Sequence, residues 1–346
     1  MLFKVNSNYS NKAFLNALIP LPKYLATMDN HDLFTQQRQW LESQIIGQQK
    51  LIERILIALL ADGHLLVEGA PGLAKTKAIK SLAQTIAGDF HRIQFTPDLL
   101  PGDVTGTDIY RPEDGSFRFQ RGPIFHNLVL ADEINRAPAK VQSALLEAMA
   151  ERQISVGRES YPLPELFLVM ATQNPIEQEG TYPLPEAQLD RFLMHVTVAY
   201  PDLEAERQIL ALARNEASAR TQAPPLILGQ EEIRAARQAV LTIHMAANVE
   251  EYIVQLVMAT RTPQNYSSQL AGWIDYGGSP RATIALDRCS RALAWLRGRD
   301  FVTPDDVQAL VYDVLRHRLI LSFEAEANGV TKDQVIDSLL QHVPVI

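Results

Sequence analysis

A single cysteine, Cys289, stands in a chain of 346 residues, so no disulfide can form within it. A buried structural thiol in a reducing compartment is the expected state. No stretch approaches the roughly 20 consecutive apolar residues of a membrane-spanning helix. The apolar segment 13–20 is too short and interrupted for a signal peptide, and no small-residue cleavage site follows it cleanly. No transmembrane segment and a cytoplasmic location are therefore expected. Basic excess is missing too: 32 Lys and Arg against 40 Asp and Glu give a net charge of −8, which argues against a nucleic-acid partner. What is there is ordinary for a globular chain, 47% hydrophobic and 21% charged residues, with length enough for two domains.

The most informative stretch is Gly69, Ala70, Pro71, Gly72, Leu73, Ala74, Lys75 and Thr76, placed between the apolar run 64–68 and a helical pattern over 77–86. Strand, glycine loop and helix in that order make a phosphate cradle. Backbone N–H groups and the helix N-terminus aim positive charge at one spot, Lys75 reaches the β- and γ-phosphate oxygens, and the Thr76 hydroxyl can ligate Mg2+. This is ATP or GTP chemistry. Ala74 stands where the motif has its second glycine, and a right-handed conformation is expected there, which an alanine tolerates.

Residues 1–30 are polar, rich in asparagine and weakly periodic, and read as an N-terminal extension. Helical spacing runs from Leu33 to Leu60 and breaks at Gly47, a bend that presents Ile46 and Gln48 to an adenine ring. After the cradle come a strand over 90–95, a short helix over 96–103 and a hairpin over 110–119 turning at Asp114 and Gly115. The apolar run 128–131 ends in Asp132 and Glu133, at the carboxyl end of a strand where α/β sheets hold their ligands. Asp132 can hold Mg2+ through water, and Glu133 can polarise the water that attacks the γ-phosphate. A second hairpin over 151–161 precedes a strand over 166–171, whose tip carries Asn174, an amide able to hold the lytic water. A last strand over 194–199 completes a doubly wound parallel sheet of five strands, an α/β fold.

From residue 201 the pattern is helical, with explicit starts at Ser279-Pro280, Thr303-Pro304 and Thr331. The division expected is an α/β core over 31–200 and a small all-α lid domain over 201–346. Arg281 falls in a first helical turn, where the dipole disfavours positive charge unless an anion binds there.

These pieces together resemble the MoxR family of AAA+ ATPases. The stretches that carry the likeness are 130–138, 142–149, 171–175, 180–192 and 279–281. The resemblance implies a P-loop NTPase with Lys75 and Thr76 as Walker A, Asp132 and Glu133 as Walker B, Asn174 as sensor 1, Arg281 as sensor 2 and Arg191 as the arginine finger. It also makes 96–126 a helix-2 insert and 151–161 a pre-sensor-1 hairpin. Arg191 lies across the sheet from its own cradle, so it would serve a neighbouring subunit. The cofactors implied are ATP and Mg2+; the partners are a homo-oligomeric ring of six copies, a protein client handled in chaperone fashion, and proteins with von Willebrand factor A domains. Arg136, Arg152 and Arg158 either line the subunit interface or are solvated or ion-paired. A nucleic-acid motor and a metal-chelatase motor subunit are the alternatives of the same clade.

Overall fold

The computed structural model describes residues 29–157, 159–176, 180–217 and 223–345; most of the N-terminal extension, and Arg158, lie outside them. Two helices, α1 (Asn30–Gln44) and α2 (Gln49–Leu60), lead into β1 (Leu65–Gly69) and α3 (Lys75–Gln84). Then follow β2 (Phe90–Gln94), α4 (Pro101–Thr105), the hairpin β3 (Gly106–Arg111) and β4 (Ser116–Arg121), β5 (Leu128–Asp132) and α5 (Ala139–Glu151). A second hairpin, β6 (Gln153–Val156) and β7 (Glu159–Pro162), precedes β8 (Leu168–Gln173), α6 (Glu186–Leu189) and β9 (Met194–Val198). The rest is α7 (Leu203–Ala217), α8 (Gln230–Thr242), α9 (Ala247–Arg261), α10 (Ser268–Trp273), β10 (Ile274–Tyr276), α11 (Pro280–Leu296), α12 (Pro304–Leu315), β11 (Ile320–Leu321), α13 (Phe323–Ala327) and α14 (Lys332–His342).

The five core strands are all parallel and run in the order β2-β5-β8-β1-β9. Their apolar runs alternate between two cores because successive side chains leave a strand on opposite faces. Leu65, Val67, Leu128, Leu130, Leu168 and Met170 enter one cluster. Leu66, Val129, Ala131, Val169 and Ala171 enter the other, against Val141, Leu145 and Leu146 of α5. The first cluster continues without a break into the helices beyond residue 225, taking in Val240, Leu256, Leu286, Leu310 and Leu339.

The helix starts follow their local chemistry. Ser279 Oγ accepts the Arg281 N–H at 3.1 Å ahead of Pro280, and Thr331 and Gln334 cap each other at 2.8 and 3.2 Å. Three local expectations need correcting. Residues 96–100 are not helical: α4 begins at Pro101, which lacks an N–H to satisfy, and Asp103 accepts the Leu100 N–H at 2.8 Å. The first hairpin turns over four residues, 112–115, with Gly115 at φ +69° and the Asp114 carboxylate taking the Ser116 N–H and hydroxyl. The helical part also carries a small antiparallel ribbon, Ile274 opposite Leu321, so it is not purely helical.

Candidate functional site

The register of the sheet brings the sequence-separated motifs to one edge. Gln94 pairs with Asp132, Ala131 with Ala171 and Glu68 with Gln173, so the tips of β2, β5, β8 and β1 end side by side. There a cavity of about 350 Å3 is lined by residues 71–77, Asp132, Glu133, Thr172 and Asn174. Gly69 is required where β1 meets β9, since a Cβ would lie 2.9 Å from the Val198 carbonyl oxygen. Gly72 turns at φ +84°. Ala74 is left-handed, φ +57° and ψ 16°, which overturns the right-handed expectation. An L residue pays on the order of 1 kcal/mol there, and the glycine it replaces would pay nothing.

Lys75 opens α3 and turns its ammonium onto the strand-end carbonyls of Gly69 and, at 3.2 Å, Gln173. Burial pushes its pKa below the ordinary lysine value, opposed by the charges of Asp132 and Glu133. Thr76 Oγ1 lies 3.5 Å from Asp132 Oδ2. The other Asp132 oxygen accepts from Thr172 Oγ1 at 2.5 Å, and the Thr172 hydroxyl oxygen accepts the Glu133 N–H at 2.9 Å. Thr172 thus fixes both acids. Glu133 is itself left-handed, φ +57°, and its carboxylate accepts from Gln94 Nε2 at 2.8 Å with the Arg136 guanidinium 3.4 Å away. Asn174 is buried and its carboxamide oxygen accepts the Ile176 N–H at 3.2 Å, which holds the side chain at the tip of β8.

Among the described residues no group of three or more His, Cys, Asp or Glu could hold a metal ion. The Thr76 hydroxyl and the Asp132 carboxylate are nonetheless the hard oxygen pair that suits Mg2+, which keeps most of its waters and takes few protein ligands. The donor set fits that ion.

Not every expected residue is here. Gln48 is buried with its amide on the Ala199 carbonyl at 3.0 Å, and neither it nor Ile46 lines the cavity; Gly47 packs instead on Pro201 and Ala205. Arg191 and Arg281 also lie elsewhere, in a second cavity of about 180 Å3 with Arg152, Arg288 and Arg318. Asp190 is its hub. One carboxylate oxygen accepts from Arg318 Nε at 2.8 Å; the other accepts from Ser279 Oγ at 2.8 Å and faces Arg281 Nη1 at 3.6 Å. In its helical first turn Arg281 thus faces the chain's own Asp190 while its side chain stays half exposed. Arg318, almost fully buried, also donates to the carbonyls of Phe192 at 2.7 Å and Leu193 at 3.2 Å. Arg136 and Arg152 are ion-paired, the latter to Asp62 at 2.8 Å. In the same wall His64 accepts the Val169 N–H at 3.1 Å, and burial, aided by Arg152, lowers its pKa from 6.5 to about 4. Cys289 is buried, with its thiol pushed up to about 12 by burial.

Thr172, Arg92, Gln94 and Asp190 escaped the reading of the sequence. Arg92 and Gln94 are two apart on β2 and so share a face, a period-2 polar pair in a short strand. That signal was available, but only strand order shows that the pair faces β5.

A parallel sheet with a glycine loop on one strand, an acid pair on another and an amide at the tip between them defines a P-loop ATPase fold of the AAA type. Residues 64–194 match the family model described as ATPase family associated with various cellular activities (AAA), and residues 271–339 match the AAA lid domain. Chaperone MoxR1 of Mycobacterium tuberculosis is 48% identical over 301 residues, 86% of this chain and 78% of that one. YeaC of Bacillus subtilis is 42% identical over 92% of this chain and 96% of its own. A crystal structure of a Cytophaga hutchinsonii protein superposes with a TM-score of 0.84 at 44% identity, covering 92% of this chain and 96% of that one. The chain belongs to the MoxR family of AAA+ ATPases.

Proposed function

We propose that the protein is an Mg2+-dependent ATPase that works as a head-to-tail ring of six copies and remodels or activates a protein client. The observation that carries this reading is the separation of two basic sites. Lys75 stands with the acids in one cavity, while Arg191 and Arg281 line another, where Arg281 faces Asp190. Arginines that stabilise charge on a transferring phosphoryl group must reach it, so these two serve the cleft of the next copy.

In this reading Lys75 exchanges the carbonyls of Gly69 and Gln173 for phosphate oxygens. Glu133, oriented by Gln94 and by its own backbone bond to Thr172, takes a proton from the attacking water while Asn174 holds that water in line. Thr76 and Asp132 would hold Mg2+, which would supply positive charge to offset the negative charge that develops on the phosphoryl group. The hairpin β3/β4 is almost wholly exposed, with Phe117 70% accessible and Phe119 stacked on Tyr161 of the hairpin β6/β7 at 4.1 Å. The two hairpins form one aromatic unit suited to gripping a client, with von Willebrand factor A domain proteins as the partner class.

The test uses three variants. Lys75→Ala loses nucleotide binding, Glu133→Gln binds but does not turn over, and Arg191→Ala binds normally with turnover reduced about a thousandfold or more. Mixing Arg191→Ala with Glu133→Gln restores part of the turnover, because one mixed interface unites an intact acid with an intact arginine. Full activity in a monomeric Arg191→Ala preparation overturns the ring, and parent-rate turnover by Glu133→Gln overturns the base.

A further inference from the structure

Asp132 already has a cationic partner. Arg92 donates Nε at 3.0 Å and Nη2 at 2.7 Å to the same carboxylate oxygen, Oδ2. That is the oxygen facing Thr76; Oδ1 is taken by Thr172. The pair is lopsided, since the Asp132 side chain is 11% exposed and that of Arg92 51%. The acid is fixed while the base can swing into solvent. Nη2 also donates to Gln94 Oε1 at 2.7 Å, and Gln94 holds Glu133, so both acids hang from β2 by one chain of hydrogen bonds.

We infer that Arg92 is a resident counter-ion for Asp132, which a divalent cation must displace or share with before the metal site is complete. The inference rests on the reading of the cleft as an Mg2+–nucleotide site. A buried carboxylate left bare costs stability, so the metal-free protein keeps Asp132 neutralised by a guanidinium that never loses its charge. The same guanidinium repels an incoming cation and covers the lone pair that the cation needs. Apparent Mg2+ affinity is thereby held below what Thr76 and Asp132 alone would give. Displacement also breaks the bond from Arg92 to Gln94, which couples metal arrival to the setting of Glu133. Arg92 is thus a positioning residue acting through two carboxylates.

The experiment takes the full chain, the parent beside Arg92→Gln and Arg92→Lys, and reads two quantities. One is the half-saturating MgCl2 for binding of a fluorescent ATP analogue; the other is the melting temperature in chelator and across an MgCl2 series. Arg92→Gln is expected to need about threefold less Mg2+, the scale of a half-exposed ion pair. It should also melt lower than the parent without metal and gain more from Mg2+. Arg92→Lys, which keeps the charge, should track the parent. If Arg92→Gln has an unchanged or raised half-saturating Mg2+ while the parent binds nucleotide in an Mg2+-dependent way, the inference fails alone. A parent without Mg2+-dependent nucleotide binding fails the reading of the cleft, and the inference with it.

Discussion

The cleft at the strand tips and the arginine cavity are both dense in charge, yet they are built in opposite ways. The cleft is assembled from groups that end adjacent parallel strands, so main-chain register sets its geometry. The arginine cavity is assembled from three segments far apart in sequence, around residues 190, 281 and 318, and one carboxylate ties them together. Removing a side chain from the cleft should cost chemistry and little stability. In the cavity, removing a member of the buried Asp190–Arg318 pair should cost stability first.

The sharpest way to break this contrast is Arg318→Ala. It strands Asp190 and leaves the carbonyls of Phe192 and Leu193 without their donor, and loss of a buried pair of this kind costs about 3–5 kcal/mol. Denaturant unfolding should show that loss while nucleotide binding in the surviving folded fraction stays near the parent value. A drop of under about 1 kcal/mol would mean that the hub is ornamental.

Acid sharpens the contrast next. His64, in the wall of the arginine cavity, binds its proton only near pH 4 when folded but near 6.5 when unfolded. As pH falls through 6.5 the unfolded chain takes up the proton first, so stability that is whole above that value drains away until about 4. The loss from His64 is on the order of 3 kcal/mol, since each tenfold change in proton affinity is worth about 1.4 kcal/mol. His317, also buried, is pushed in the same direction. Unfolding measured against pH should fall across that window, and His64→Gln, which keeps an acceptor for the Val169 N–H, should flatten the curve.

The smallest effect belongs to the cleft. Ala74→Gly relieves a left-handed alanine and should stabilise the fold by on the order of 1 kcal/mol, read as a rise in melting temperature. No gain would mean that the loop absorbs the methyl group without strain.

These contrasts also explain what was legible in advance. Lys75, Thr76, Asp132, Glu133 and Asn174 could be found from spacing because each sits at a fixed offset from its own strand, and parallel strands align their tips. The neighbours Arg92, Gln94 and Thr172 could not, because their roles depend on β2 lying beside β5 and β5 beside β8. Strand order is a tertiary property that no local window contains. The separation of Arg281 from the cradle was hidden for the same reason: a first-turn arginine announces a need for an anion, and only the packing of α11 on residue 190 shows that Arg281 sits beside Asp190 and away from its own cradle. The ribbon of β10 and β11 is too short for a periodic signal, and Ala74 resembles an ordinary helix start until its dihedral angles are seen.

The unbroken apolar cluster that joins the sheet to α8, α11, α12 and α14 has a mechanical corollary. A clamshell motion between the halves would wet hydrocarbon now dry, at about 25 cal/mol for every Å2 exposed. The hairpin β3/β4 stands almost wholly outside that hydrocarbon, so it is the inexpensive moving part, whereas β6/β7 is held to the second cluster by Ile154.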